Sequence, residues 1–157
     1  GGKWTTYRKM AEDAVDQAIK IVNLSEKKCV TADLRIHGAT ENAENFGDLA
    51  IYGADAGEIR KLIVAKPNLA EKLHEDLPYR TAEIIWTIKN EMPQNVEDIL
   101  ARRTRALFLN AEAAIEIAPR IAKIMAEELD KDDIWINAQI KQFKELAGNY
   151  LIDPDKS

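Results

Sequence analysis

The sequence predicts an all-α protein, a helical bundle-like domain with a short extended connector and a separate N-terminal helix. Three observations carry this reading. The seven glycines stand at positions 1, 2, 38, 47, 53, 57 and 148, so the stretch from Glu58 to Ala147 has none. Tight sheet turns and phosphate-cradling loops both use glycine for positive φ, which makes that stretch a poor candidate for either. Apolar residues recur at steps of three and four in several segments, the period of a helix with one buried face. Finally, prolines and capping residues sit at the borders of those segments, where helices start and stop.

The first element spans Trp4 to Val22, with Trp4, Tyr7, Met10, Ala11, Ala14, Val15, Ala18, Ile21 and Val22 forming one stripe. Thr5 or Thr6 is expected to cap it. Lys27 to His37 changes character: Cys29-Val-Thr31 and Leu34-Arg-Ile36 are short, partly β-branched and end at Gly38, as in an extended connector with room for a short strand. Thr40 to Tyr52 is a weak short helix around Gly47. Asp55-Ala-Gly-Glu58 fits a capping box, and the helix it opens stops before Pro67. Gly53 and Gly57 then mark the end of one helix and the cap of the next. Asn68 caps a short helix through Leu73.

Pro78 and Pro93 bracket the next helix, with Ala82, Ile85, Trp86, Lys89 and Met92 along one face. Asn95 caps a segment that turns Val96, Ile99 and Leu100 inward. Asn110 opens a long helix to Leu129, with a kink or two abutting helices expected at Pro119, which lacks an amide donor and crowds the carbonyl of Ile115. Asp132 or Asp133 caps the last helix, where Ile136, Ile140, Phe143, Ala147 and Tyr150 form a stripe. Asp153 to Ser157 is a polar tail.

Composition limits the function. The chain has 157 residues, enough for one domain or one domain and an appendage, and its 46% hydrophobic and 31% charged residues are globular values. With 22 basic and 27 acidic side chains the net charge is −5, the wrong balance for a nucleic-acid module. The single cysteine, Cys29, cannot form an internal disulfide and points to a reducing compartment. No run of about 18 apolar residues would span a membrane. The first residues lack the charged-then-apolar pattern of a signal peptide.

Few constellations suggest chemistry. His37 and His74 have no partner motif and read as structural or surface residues; Cys29, beside Val30, reads as a small buried hydrophobe. Gly53-Ala-Asp-Ala-Gly57 follows no strand, and no dinucleotide or P-loop signature occurs. Arg102-Arg103-Thr104-Arg105 suits an anion, but Asp98 and Arg102 stand at i,i+4 with Glu91 and Glu97 near, which favours pairing within the fold or between domains. Arg102 and Arg105 share a helix face that Arg103 does not. Gly1-Gly2-Lys3-Trp4-Thr5-Thr6 forms a natural anion-facing helix start, with free amides, the positive dipole end and an ammonium together. The plainer alternative is a leading Gly-Gly of no consequence and a Thr cap.

Gly1-Gly-Lys-Trp-Thr-Thr-Tyr-Arg-Lys-Met-Ala-Glu12 resembles the segment that closes the flavin domain of FAD-dependent glycerol-3-phosphate dehydrogenases. Residues 94–129 resemble the C-terminal helical domain of that family, through Val96-Glu-Asp-Ile-Leu100, Ala101-Arg-Arg-Thr-Arg105, Leu107-Phe-Leu-Asn-Ala111, Ala118-Pro-Arg-Ile121 and Ile124-Met-Ala-Glu-Glu-Leu129. Leu77-Pro78 and Glu91-Met92 fit the same pattern, and the likeness is weakest between about 39 and 75.

The resemblance implies a division into 1–24, the end of an FAD-binding domain, 25–38, the connector, and 39–157, a helical cap. It also implies an upstream FAD domain and oxidation of sn-glycerol 3-phosphate to dihydroxyacetone phosphate. Hydride would pass to FAD and electrons onward to quinone, or to oxygen in related oxidases. Gly1 and Gly2 would let the backbone approach the flavin, Lys3 would bring positive charge to it and to the substrate phosphate, and Thr5 would offer an amide or hydroxyl at the helix start. The resemblance implies no catalytic residue and no metal ligand in this chain, and places Arg102, Arg103 and Arg105 in cap packing. The chain alone would be inactive and free of FAD, and the whole enzyme cytoplasmic and peripheral at the inner face of the cell membrane. The first helix, stripped of its partner domain, would favour self-association. The competing expectation is a non-catalytic helical interaction domain.

Overall fold

The structure, a computed structural model, describes residues 3–151, and the chain divides into two compact units, 1–39 and 40–157. The expectations for Gly1, Gly2 and the tail from Asp153 fall outside the described residues.

In the N-terminal unit a 3-10 turn, Trp4–Thr6, leads into α1, Tyr7–Ile21. Thr6 holds the N-cap position, but its hydroxyl turns back and donates to the Lys3 carbonyl at 3.1 Å, so neither expected threonine cap forms through a side chain. The helix ends in a Schellman closure: Asn23 takes a left-handed φ of 52°, Leu24 N–H reaches the Ile19 carbonyl at 3.0 Å and Asn23 N–H that of Lys20 at 3.4 Å. The connector that follows is irregular. No strand forms among the described residues, and only an isolated antiparallel bridge joins Lys72 to Arg80. The β-branched residues at 30, 31 and 36 found no partner edge, and a strand requires one.

The larger unit is all helical. A 3-10 segment, Ala43–Asp55, precedes α2 (Ala56–Ala65), a short 3-10 turn at Pro67–Ala70 and α3 (Thr81–Glu91). A π-helix at Asp98–Arg103 leads to α4 (Ala106–Leu109), α5 (Ala111–Leu129), α6 (Asp133–Ala147) and a 3-10 turn, Gly148–Tyr150. The long-helix expectations hold to the residue at the α5 ends. Asn110 accepts the Ala113 N–H at 3.0 Å, and Asp132 likewise accepts that of Trp135 at 2.8 Å, opening α6. α5 runs unbroken through Pro119, so two abutting helices are excluded.

Several local expectations change. Asp55 stands at the N-cap of α2, but it already has helical φ and ψ because the 3-10 segment runs straight into it, and no side-chain cap forms. Glu58 instead pairs with Lys61 at 2.7 Å. Gly57 lies inside the first turn of α2, not at a cap. On α3 the expected face is displaced: Met92 is 79% exposed, whereas Ile84 and Ile88 are buried. The reason is that α3 is covered on two sides, and a one-stripe reading selects only one of them.

Two apolar clusters form the core. The main one unites Ile84 and Ile88 of α3, Val96, Ile99 and Leu100 around the π-helix, Ala114, Ile117, Ala118, Ile121, Ala122 and Met125 of α5, and Phe143 and Ala147 of α6. The second joins Leu49, Ala56, Ile59 and Leu69 to Ala82 and Trp86 on the other side of α3. Ile121→Ala, at a fully buried site, should cost about 2–5 kcal/mol, whereas Val64→Ala, at a side chain 81% exposed, should stay within about 0.5 kcal/mol; denaturant unfolding distinguishes them.

Candidate functional site

The helix start that the sequence marks as anion-facing is an open surface. Lys3 has extended backbone (φ −74°, ψ 142°) ahead of the 3-10 turn, and Lys3, Trp4 and Thr5 are all exposed. The Lys3 carbonyl accepts both the N–H and the hydroxyl of Thr6, which fixes the turn while leaving the Lys3 ammonium outside it. An ammonium and an exposed threonine at the positive end of a fifteen-residue helix suit an anionic group.

Behind this start, α1 buries none of its residues. Trp4 is 86% exposed, and Tyr7, Val15 and Ile21 are likewise open, as are Leu34 and Ile36 of the connector. α1 and the connector enclose a groove of about 520 Å³, walled by Tyr7, Ala11, Val15, Ile19, Leu34 and Ile36. Its polar wall is a cluster that the sequence reading missed. Arg8 donates to Glu12 at 2.7 Å, to Thr31 at 3.1 Å and toward the Cys29 sulfur at 4.0 Å, and Cys29 and Thr31 lie 3.0 Å apart. The Arg8 hydrogen bond, seconded by Lys9, holds the Glu12 carboxyl below the usual carboxylate range. Cys29 is therefore half-buried among polar partners and not the buried hydrophobe expected from Val30 beside it. The i,i+4 spacing of Arg8 and Glu12 was legible; the return of the connector onto them was not.

The arginine motif is engaged within the fold. Arg102 bonds Asp98 at 2.9 Å and Glu97 at 2.6 Å, and Arg103 donates to the Glu91 carbonyl at 2.8 Å. The segment is π-helical, closed by Thr104, whose N–H and hydroxyl both donate to the Ile99 carbonyl, at 2.9 and 2.8 Å. The Tyr79 hydroxyl in turn donates to the Thr104 carbonyl, and burial raises the Tyr79 pKa. Arg105 follows with a left-handed φ of 60°. His74 accepts the Asp76 N–H at 3.1 Å and meets Glu116 at 3.2 Å, a surface role as expected. No group of three or more potential metal ligands lies together among the described residues.

These features define an all-helical protein in which Arg102 and Arg103 are tied within the fold and α1, within its own unit, leaves its apolar face uncovered. A family model described as the C-terminal domain of alpha-glycerophosphate oxidase matches residues 29–134, and the chain belongs to that family. Curated relatives bear the name mitochondrial glycerol-3-phosphate dehydrogenase. The Mesocricetus auratus protein is 38% identical over 90% of this chain and the Homo sapiens protein 36% over 90%, each match covering 22% of the relative. A mitochondrial glycerol-3-phosphate dehydrogenase of Arabidopsis thaliana is 30% identical over 96% of the chain and 28% of its own length. The chain thus spans less than a third of these relatives. No solved structure matches it. The family resemblance and the all-α class read from the sequence are borne out.

Two substitutions test the assignment of the motif to folding. Tyr79→Phe, which strips a buried carbonyl of its donor, should lower stability by about 1–3 kcal/mol. Arg102→Ala, at an exposed pair, should lower it by less than about 1 kcal/mol. Thermal unfolding of both variants checks the contrast.

Proposed function

We propose that this chain is the C-terminal part of an FAD-dependent glycerol-3-phosphate dehydrogenase that oxidises sn-glycerol 3-phosphate to dihydroxyacetone phosphate and passes electrons to a quinone. The observation that carries the reading is the family match, extended by relatives of that name over 90% or more of the chain. In this reading residues 1–24 complete an upstream flavin domain, 25–38 connect, and 39–157 cap it. The uncovered face of α1 and the groove beside it supply the surface such an upstream domain would need.

FAD, when bound, supplies the acceptor for the hydride leaving C2 of the substrate. This chain contributes charge and approach. Lys3 would bring its exposed ammonium to the isoalloxazine and the substrate phosphate and compensate anionic charge there. Thr5 would offer a donor at the helix start, where the dipole would stabilise negative charge on the cofactor edge. Gly1 and Gly2, having no side chains, would permit close backbone approach to it. We assign no catalytic base to this chain, and on its own it neither turns over nor retains FAD. The enzyme works peripherally at the cytoplasmic, inner face of the membrane. No helix of the described residues is long and apolar enough to cross one.

In the full-length protein Lys3→Met should lower kcat/KM for glycerol 3-phosphate by roughly ten- to a hundredfold, the loss of one charge-assisted hydrogen bond, in a quinone-analogue reduction assay. Unchanged turnover and flavin affinity would instead favour a helical interaction module, the reading that the exposed α1 stripe also suits. The 157-residue chain by itself should self-associate as its concentration rises. A strictly monomeric species in light scattering would contradict the uncovered-face argument.

A further inference from the structure

We propose that residues 47–53 form a strap, hinged at Gly47 and Gly53 and latched to α3 by the buried side chain of Glu83, whose hold depends on the protonation of that carboxyl. The two glycines have nearly the same backbone, φ 58° and ψ −127° at Gly47, φ 54° and ψ −129° at Gly53, a region that side chains other than hydrogen resist. Both interrupt the helical geometry of the 43–55 segment, so the piece between them can swing as a unit. Its inner side seats Leu49, 5% exposed, in the second apolar cluster, while Ile51 faces solvent.

Polar ties from the strap to the start of α3 pass through Glu83 and Arg80. The Tyr52 hydroxyl donates to Glu83 Oε1 at 3.0 Å, and its ring meets the Trp86 edge at 5.5 Å. Arg80 Nη2 reaches Asp48 at 3.1 Å, Arg80 Nη1 the Ala70 carbonyl at 3.1 Å, and the Arg80 N–H donates to Glu83 Oε2 at 2.7 Å. Glu83 is 3% exposed, and among the described residues no cationic side chain hydrogen-bonds to it. The charged and titratable groups around it are Tyr52 and Asp48 from the strap, Arg80 and Tyr79 ahead of α3, and Glu91, which acts on Tyr52. α2 and the 67–70 turn present the apolar Ala56, Ile59, Leu62, Ile63 and Leu69 to this cluster.

Burial is the largest influence on Glu83 and raises its carboxyl above the usual range; its hydrogen bonds and Arg80 oppose that, and Asp48 adds to it. A group with a raised pKa in the closed form stabilises that form fully below its ordinary pKa and loses the contribution as pH rises through the raised value. Opening at the glycines returns the carboxylate to water. The strap is therefore tightest in acid and loosens as Glu83 ionises.

Hydrogen exchange of the intact protein, corrected for intrinsic rates, tests this. Protection of amides 48–53 should fall as pH rises from about 4.5 to about 8, while that of α5 stays level. Glu83→Gln should flatten the pH response of the strap. Tyr52→Phe should lower strap protection roughly tenfold at every pH, the loss of one buried hydrogen bond, without moving α5. Strap and α5 protection falling together, or a pH slope that survives in Glu83→Gln, overturns the proposal.

Discussion

The constraint on which the larger unit depends is the double burial of α3. Ile84 and Ile88 join the cluster built by α5, α6 and the π-helix, while Ala82 and Trp86, on the other side, close over Leu49, Ile59 and Leu69. An eleven-residue helix with apolar contacts on both sides has little surface left for polar groups, yet it carries Thr81, Glu83 and Thr87 in buried positions. Each buried polar atom needs a partner or it costs the stability that burial supplies. The partners come from elsewhere in the chain: Tyr52 and the Arg80 N–H for Glu83, and Arg120 of α5, at 2.9 Å, for Thr81. α3 is thus the element through which the two apolar clusters are held in register.

The arginine-rich motif shows how a charged cluster can serve folding. Arg102 is tied to Asp98 and Glu97 within its own turn, and Arg103 reaches back to Glu91 at the end of α3. Between those ties the backbone opens into a π-turn, and Thr104 and Tyr79 supply the hydrogen bonds that hold it. Left-handed φ at Met92, Arg105 and Asp130 then redirects the chain after α3, after the π-turn and after α5. These are positions that glycine usually fills, and their occupation by other residues lets a ninety-residue stretch do without glycine while still turning sharply.

The N-terminal unit has the opposite character. α1 is well formed and well closed by Asn23, yet nothing in its own unit covers its apolar face, and its ordered features are the ion pairs around Arg8 and the groove beside them. A helix whose stripe is continuous and uncovered keeps its shape through local bonds and leaves its burial energy for another surface. The proposed place of this helix against a larger upstream domain rests on that uncovered face.

The sequence by itself determined the helical class, the span and N-cap of α5 and the inward residues Val96, Ile99 and Leu100, because periodicity and capping act over a few residues, and its motifs carried the family resemblance. It also made the salt bridge of Arg102 to Asp98 legible, since four positions on a helix bring two side chains together. Tertiary structure alone decided the rest. The connector became irregular because no strand edge was available, Asp55 lost its cap to the 3-10 segment before it, and α3 turned Ile84 and Ile88 inward because a second element covered that side. Cys29 joined Arg8 across 21 residues, and Tyr52 met Glu83 across 31. Contacts at those separations depend on where the whole chain returns, and no local pattern encodes that.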